Sequence, residues 1–165
     1  LGGGVVLTQS HEIDYLIWLF GPVDSVSAVG GQLSDLDIEV EDVAKVIFRF
    51  KSGMVGSLDL DYLKCPPRRT LEIITTQGRI YWDYFAQFVE FIPISRELSG
   101  VKVVEPESFE RNTMYLAELK NFLECIKDKK QPTNSLAEGL GVLKIILGVK
   151  KSIMANGKAI TFDQD

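Results

Sequence analysis

Apolar and polar positions alternate along this chain in two rhythms. Near the start, Ile13, Leu16, Ile17 and Phe20 fall at i, i+3, i+4 and i+7, the repeat of an amphipathic helix. Thr8 or Ser10 is placed to cap that helix, and Gly21-Pro22 to end it. From Val23 the period becomes two. Val23 to Val29 alternates until Gly30-Gly31. Leu33 to Glu41 is acidic and reads as an exposed edge or loop. Ala44 to Phe50 alternates Lys45, Ile47 and Arg49 against Val46, Phe48 and Phe50. Lys51-Ser52-Gly53 signals a turn, and Met54 to Tyr62 alternates again, which predicts a hairpin. Thr70–Thr75 and Arg79–Tyr84 predict a second hairpin about Thr76-Gln77-Gly78, and Phe88–Ile94 a further strand.

The helical period then returns. Leu116, Leu119, Phe122, Leu123 and Ile126 mark one helix, with Asn112 or Thr113 as its cap and Lys127–Lys130 at its negative end. Ser135-x-x-Glu138 is a capping-box signal for another, running to about Ala155 before Asn156-Gly157. Ala159–Phe162 predicts a last strand. Strands joined by short turns and flanked by helices predict an α+β fold: an open, mostly antiparallel sheet with helices packed on one face.

Composition narrows the functional classes. The chain has 165 residues, 45% apolar and 25% charged, which suits a single domain with a real core rather than disorder. The net charge of −5 gives no support to a nucleic-acid partner. No apolar run reaches the roughly 18–20 residues of a membrane span. Cys65 and Cys125 are too few for a disulfide framework and predict a reducing, cytoplasmic setting. The chain opens Leu1-Gly2-Gly3-Gly4 and has its first Met at Met54, so the expectation is a single domain, 1–165, cut from a longer parent.

Few residues are equipped for chemistry. No Gly-x-Gly-x-x-Gly or phosphate-binding loop occurs, and one His with two distant Cys does not make a zinc cluster. His11 is the sole imidazole and shares a helix face with Asp14 and Tyr15. Two readings stay open: a proton-transfer group, or a first-turn residue that only hydrogen bonds. Asp14 can orient His11 or simply favour the helix N-terminus. Tyr62, Lys64, Arg68 and Arg69 surround Pro66-Pro67 and can grip a polar or anionic ligand, or form a solvated edge. Tyr115, at a helix start, is either rim packing or a ligand contact. The Gly2-Gly3-Gly4 run allows a tight backbone path, a close ligand approach or a flexible connection.

Taken together, residues 2–21, with the run Gly2-Gly3-Gly4 and His11-x-x-Asp14, resemble the start of the C-terminal domain of the Gfo/Idh/MocA oxidoreductases. These are relatives of glucose-fructose oxidoreductase and inositol 2-dehydrogenase. Glu41-Asp42-Val43-Ala44, Gly53-Met54-Val55-Gly56-Ser57-Leu58, Leu71-Glu72-Ile73-Ile74 and Gly78-Arg79-Ile80 continue the resemblance. It implies a parent with an N-terminal Rossmann domain holding NAD or NADP, absent from this chain. It implies a sugar or polyol substrate, free or nucleotide-linked, and a homo-oligomer built through the sheet face. His11 would be the acid/base of hydride transfer at a carbinol carbon, with Asp14, Tyr62, Lys64, Arg68, Arg69 and Tyr115 as substrate contacts. No cofactor is expected to bind tightly to this chain alone. One departure stands out: many relatives carry Asp four residues before this His, and here that place is Leu7 in a segment one residue short. A non-catalytic sugar-binding or assembly module is therefore the rival expectation, and a stand-alone interaction protein a third.

Overall fold

In the computed structural model, which describes residues 3–95, 99–104 and 110–162, the chain divides into two compact units. Leu1 and Gly2, part of the glycine run, lie outside the described residues. The first unit comprises residues 1–63 and 133–165, the second residues 64–132.

The first unit opens with α1 (Gly4–Thr8), α2 (Ser10–Phe20), β1 (Val23–Gly31), β2 (Val43–Phe50) and β3 (Val55–Asp61). In β2 the period-two pattern becomes burial directly. Ala44, Val46, Phe48 and Phe50 are buried, while Lys45, Ile47 and Arg49 face solvent. The hairpin turn closes through the Gly53 and Phe50 N–H groups, which donate to the Phe50 and Met54 carbonyls at 2.9 Å each.

The chain returns to this unit in α4 (Leu136–Met154) and the short β8 (Ile160–Thr161). The sheet order is β3-β2-β1-β8, every pair antiparallel. Val5, Val6, Ile13, Ile146 and Val149 from the helices meet Val26, Val46 and Phe48 from the strands in the core. A Phe buried to this degree contributes roughly 1.5–3 kcal/mol from its apolar surface.

Two polar anchors set the position of α4. Ser152, fully buried, accepts from the Ala28 N–H of β1 at 2.8 Å and donates to the Lys158 carbonyl at 2.7 Å. Lys150 Nζ reaches both Glu41 carboxylate oxygens, at 2.8 and 2.9 Å, and the Gly3 carbonyl at 3.4 Å. The Glu41 backbone carbonyl also accepts from the Val5 N–H at 2.8 Å. Gly4 sits at φ +72°, and a Cβ there would lie 2.2–2.4 Å from the Glu41 carboxyl group. The glycine run therefore serves a tight backbone path against Glu41.

Asp42, next in sequence, is fully buried and accepts from the Leu33 and Ser34 N–H groups and the Ser34 hydroxyl. The Ser34 hydroxyl, then the Leu33 N–H, hold its carboxyl below the ordinary value of 3.8. These bonds tie the acidic 33–41 loop down.

The second unit is a meander, β4 (Thr70–Ile74), β5 (Gly78–Asp83), β6 (Phe88–Pro93) and β7 (Val101–Val104), followed by α3 (Asn112–Asp128). Its register separates two faces. Leu71, Trp82, Val89 and Val103 lie in one cross-strand row, and Ile73, Ile80, Phe91 and Val101 in the next. All eight side chains on that face are apolar. The opposite face is mixed: Glu72, Arg79, Tyr81, Glu90 and Lys102 stand beside Ile74, Phe88, Ile92 and Val104, with Arg79 paired to Glu72 at 2.9 Å. No residue of α3 is buried, and Leu116, Leu119, Phe122, Leu123 and Ile126 are each more than half exposed.

The α+β class and the open antiparallel pairing agree with the sequence pattern, and the strands form two four-stranded sheets. The Ser135–Glu138 capping box forms as expected. Two other caps do not. Gln9 precedes α2 and makes no side-chain cap bond, because α1 runs almost directly into α2: the Gln9 N–H bonds the Val5 carbonyl and the Glu12 N–H the Gln9 carbonyl. Arg111, not Asn112 or Thr113, precedes α3, whose first donors are met by the Glu110 and Arg111 carbonyls. The strand Val101–Val104 was not expected from the pattern.

Candidate functional site

The N-terminal end of α2 and that of α4 frame a cleft of about 390 Å³ within the first unit. Leu7, Ser10, His11 and Asp14 line one wall. Asn134, Ser135, Glu138, Gly139, Val142, Leu143 and Ile146 line the other. The 3.6-residue period explains most of the first wall, since positions 10, 11 and 14 fall on one stripe of α2, and Leu7 joins them from α1. Polar groups gather at the helix starts, and Val142, Leu143 and Ile146 make an apolar floor about two to three turns into α4.

His11 is 56% exposed, and its Nε2 lies 3.1 Å from Oε1 of Glu12, which is only 8% exposed. The carboxylate beside the imidazole is thus Glu12, not Asp14. Asp14 is half-buried in the cleft wall and makes no hydrogen bond or ion pair among the described residues. Across the cleft, Glu138 accepts from the Ser135 N–H at 2.6 Å and from the Ser135 hydroxyl at 2.8 Å. Those two bonds, the backbone one first, hold its carboxyl below the ordinary value of 4.5 and keep it ionised at neutral pH. The cleft therefore combines one imidazole, two carboxylates, amide and hydroxyl groups, and an apolar floor. That mixture suits a ligand with several hydroxyl groups and an apolar ring face.

Tyr62 belongs to the same unit. It follows β3, and its hydroxyl donates to the Thr8 hydroxyl at 2.8 Å. The remaining expected site residues lie in the second unit. Lys64 and Arg68 are exposed. Arg69 is half-buried, its guanidinium 5.1 Å from the Tyr84 ring centre and 5.5 Å from that of Trp82. Tyr115 is exposed on α3 and accepts from Arg111 at 3.4 Å. The structure brings His11 and Asp14 to one cleft, and places Tyr62 on the residue three before His11.

Sequence reasoning missed Glu12, because adjacent helical residues point about 100° apart and i, i+3 spacing drew attention to Asp14. It also treated Ser135 and Glu138 only as a cap. Among the described residues no three His, Cys, Asp or Glu side chains are arranged to hold a metal ion. No described helix is long and apolar enough to cross a membrane.

Comparison with known proteins bears on this geometry. Residues 1–81 match the family model described as the GFO/IDH/MocA C-terminal domain. A myo-inositol 2-dehydrogenase of Thermotoga maritima is 27% identical over 165 residues, an alignment covering 93% of this chain and 48% of that protein. Among solved structures, the WlbA dehydrogenase from Bordetella pertussis in complex with NADH and UDP-GlcNAcA superimposes with a TM-score of 0.78 at 24% identity, over 99% of this chain and 49% of that one. A levoglucosan dehydrogenase in complex with NADH and L-sorbose superimposes with a TM-score of 0.85 at 19% identity, over 99% of this chain and 51% of that one. These two likenesses concern the fold. The chain spans about half the length of the proteins it matches. Motif order, matched segment and fold agree: residues 1–81, just under half of the chain, are similar to the GFO/IDH/MocA C-terminal domain, and the whole chain shares the fold of these dehydrogenase structures.

Proposed function

We propose that this chain is the substrate-binding and oligomerisation half of an NAD(P)-dependent dehydrogenase acting on a CH–OH carbon of a sugar or polyol. His11 carries the reading. It is the only imidazole in the chain, it stands open on a polar cleft, and a buried carboxylate backs it. Oxidising a carbinol requires a base for the hydroxyl proton, and a solvent-reachable imidazole serves near neutral pH. The described strands pair only antiparallel, so the parallel strand-helix-strand unit that cradles a dinucleotide pyrophosphate is not formed by these residues. The nicotinamide, which takes the hydride, would be held by the part of the parent outside this chain.

Asp14 and Tyr62 in the first unit are proposed substrate contacts. So, separately, are Lys64, Arg68, Arg69 and Tyr115 in the second, each testable through its own effect on KM. The proposed self-association surface is the apolar face of the second sheet, on which Val101 and Val103 are 57% and 62% exposed. The two cysteines are unpaired, in keeping with a reducing cytoplasmic setting.

A second reading has its own observation. Leu7, one turn before His11 on the cleft wall, offers no acid. The parent would then bind a sugar without turning it over.

The deciding experiment uses the full-length parent with NAD and NADP. The panel is myo-inositol, levoglucosan, L-sorbose and UDP-GlcNAcA, the molecules named with the relatives above. Turnover that His11→Ala abolishes supports the enzyme. Binding without turnover supports the module.

A further inference from the structure

We propose that Glu12 is the positioning carboxylate of His11. This rests on the reading of His11 as the acid/base and adds a residue to that site. The imidazole Nε2 lies 3.1 Å from Glu12 Oε1, the distance of an ion pair once the ring carries its second proton. Glu12 is fixed by burial, whereas His11 reaches out of the surface, so the carboxylate is the anchor and the ring the anchored part. A carboxylate at that distance favours a proton on Nε2 and offsets positive charge on the ring. Nδ1 is left with its lone pair available.

When a substrate hydroxyl transfers its proton, its O–H bond breaks and an Nδ1–H bond forms. The ring becomes an imidazolium whose charge Glu12 offsets. Among the described residues no other carboxylate is paired with the ring: Asp14 makes no bond to it, and Glu138, across the cleft, is engaged with Ser135. Position 7, one turn before His11, is Leu7 and supplies no charge. Among the described residues Glu12 is thus the group placed to orient the ring and balance its charge.

The test is turnover of the full-length parent, on whichever panel compound it oxidises best, with melting temperature measured in parallel. Glu12→Gln keeps the shape and removes the charge. It is expected to lower kcat by about 10- to 100-fold, the usual effect of removing such a supporting group, while KM changes by less than about threefold. Glu12→Asp should recover part of the loss. Placed on a His11→Ala background, Glu12→Gln should lower kcat far less than it does with His11 present, because the proposed effect runs through the ring.

A kcat within twofold of wild type for Glu12→Gln would overturn the proposal. So would an equal fold-loss with and without His11, which would mark a merely structural role. If Glu12→Gln does not fold, a smaller but still kcat-selective drop is expected of Glu12→Asp, and its absence there overturns the idea. His11→Ala with full turnover would instead bring down the reading of His11 itself.

Discussion

The Lys150–Glu41 pair offers a direct check on how the first unit is held together. Lys150→Met removes the ammonium but keeps most of the stem. Glu41, only 11% exposed and pressed against Gly4, is then left as a buried carboxylate without its counter-charge, and the Gly3 carbonyl loses a donor. Breaking one side of a buried ion pair costs about 3–5 kcal/mol, and since Lys150 keeps 30% of its side chain exposed the expected loss is about 2–3 kcal/mol. Glu41→Gln leaves a partly solvated ammonium facing an amide and should cost about 1 kcal/mol. The double variant removes both charges, so its loss should fall short of the sum by about 1 kcal/mol or more. Urea unfolding followed by circular dichroism, with all four proteins at one pH, gives the cycle. A Lys150→Met loss below about 0.5 kcal/mol, or strict additivity, would refute the claim that this pair clamps α4 to the start of α1.

Other expectations follow from single sites. Ser152→Ala leaves the Ala28 N–H buried and unpaired and should cost about 1–3 kcal/mol in the same unfolding assay. Asp42 has a folded-state pKa below 3.8, so its contribution to stability is complete above the unfolded value and lost as pH falls through the folded one. Asp42→Asn should therefore melt lower than wild type at pH 7, with the gap closing below about pH 4 in a series of thermal melts. Val103→Glu, on the apolar face of the second sheet, should shift sedimentation toward smaller species, and an unchanged distribution would remove that face as the self-association surface.

Much of this was legible in the sequence because local rules and tertiary packing point the same way. The β2–β3 hairpin was readable because one sheet face is buried and the other wet, which writes period two into the residues themselves. The capping box at Ser135 was readable because its geometry is set within four residues. α1 was not, since Gly3-Gly4 has poor helix propensity and its conformation is decided by Glu41, some 37 positions away. The caps at Thr8 and Asn112 failed for a related reason: neighbouring backbone carbonyls satisfied the donors first. Val101–Val104 has too few residues to show a period, and its membership of the sheet comes from pairing with β6. At the site, His11 stood out as the only imidazole, and Asp14 was correctly placed on its face. Glu12 was hidden because its role depends on burial, which spacing alone does not report.

The account rests on His11 as the proton-transfer group, and the most direct test is one ratio: kcat of the full-length parent against kcat of its His11→Ala variant, on the best panel substrate at saturating cofactor. Loss of a positioned acid/base predicts a drop of about 10²- to 10⁴-fold with the fold intact. A drop of less than about tenfold would contradict it.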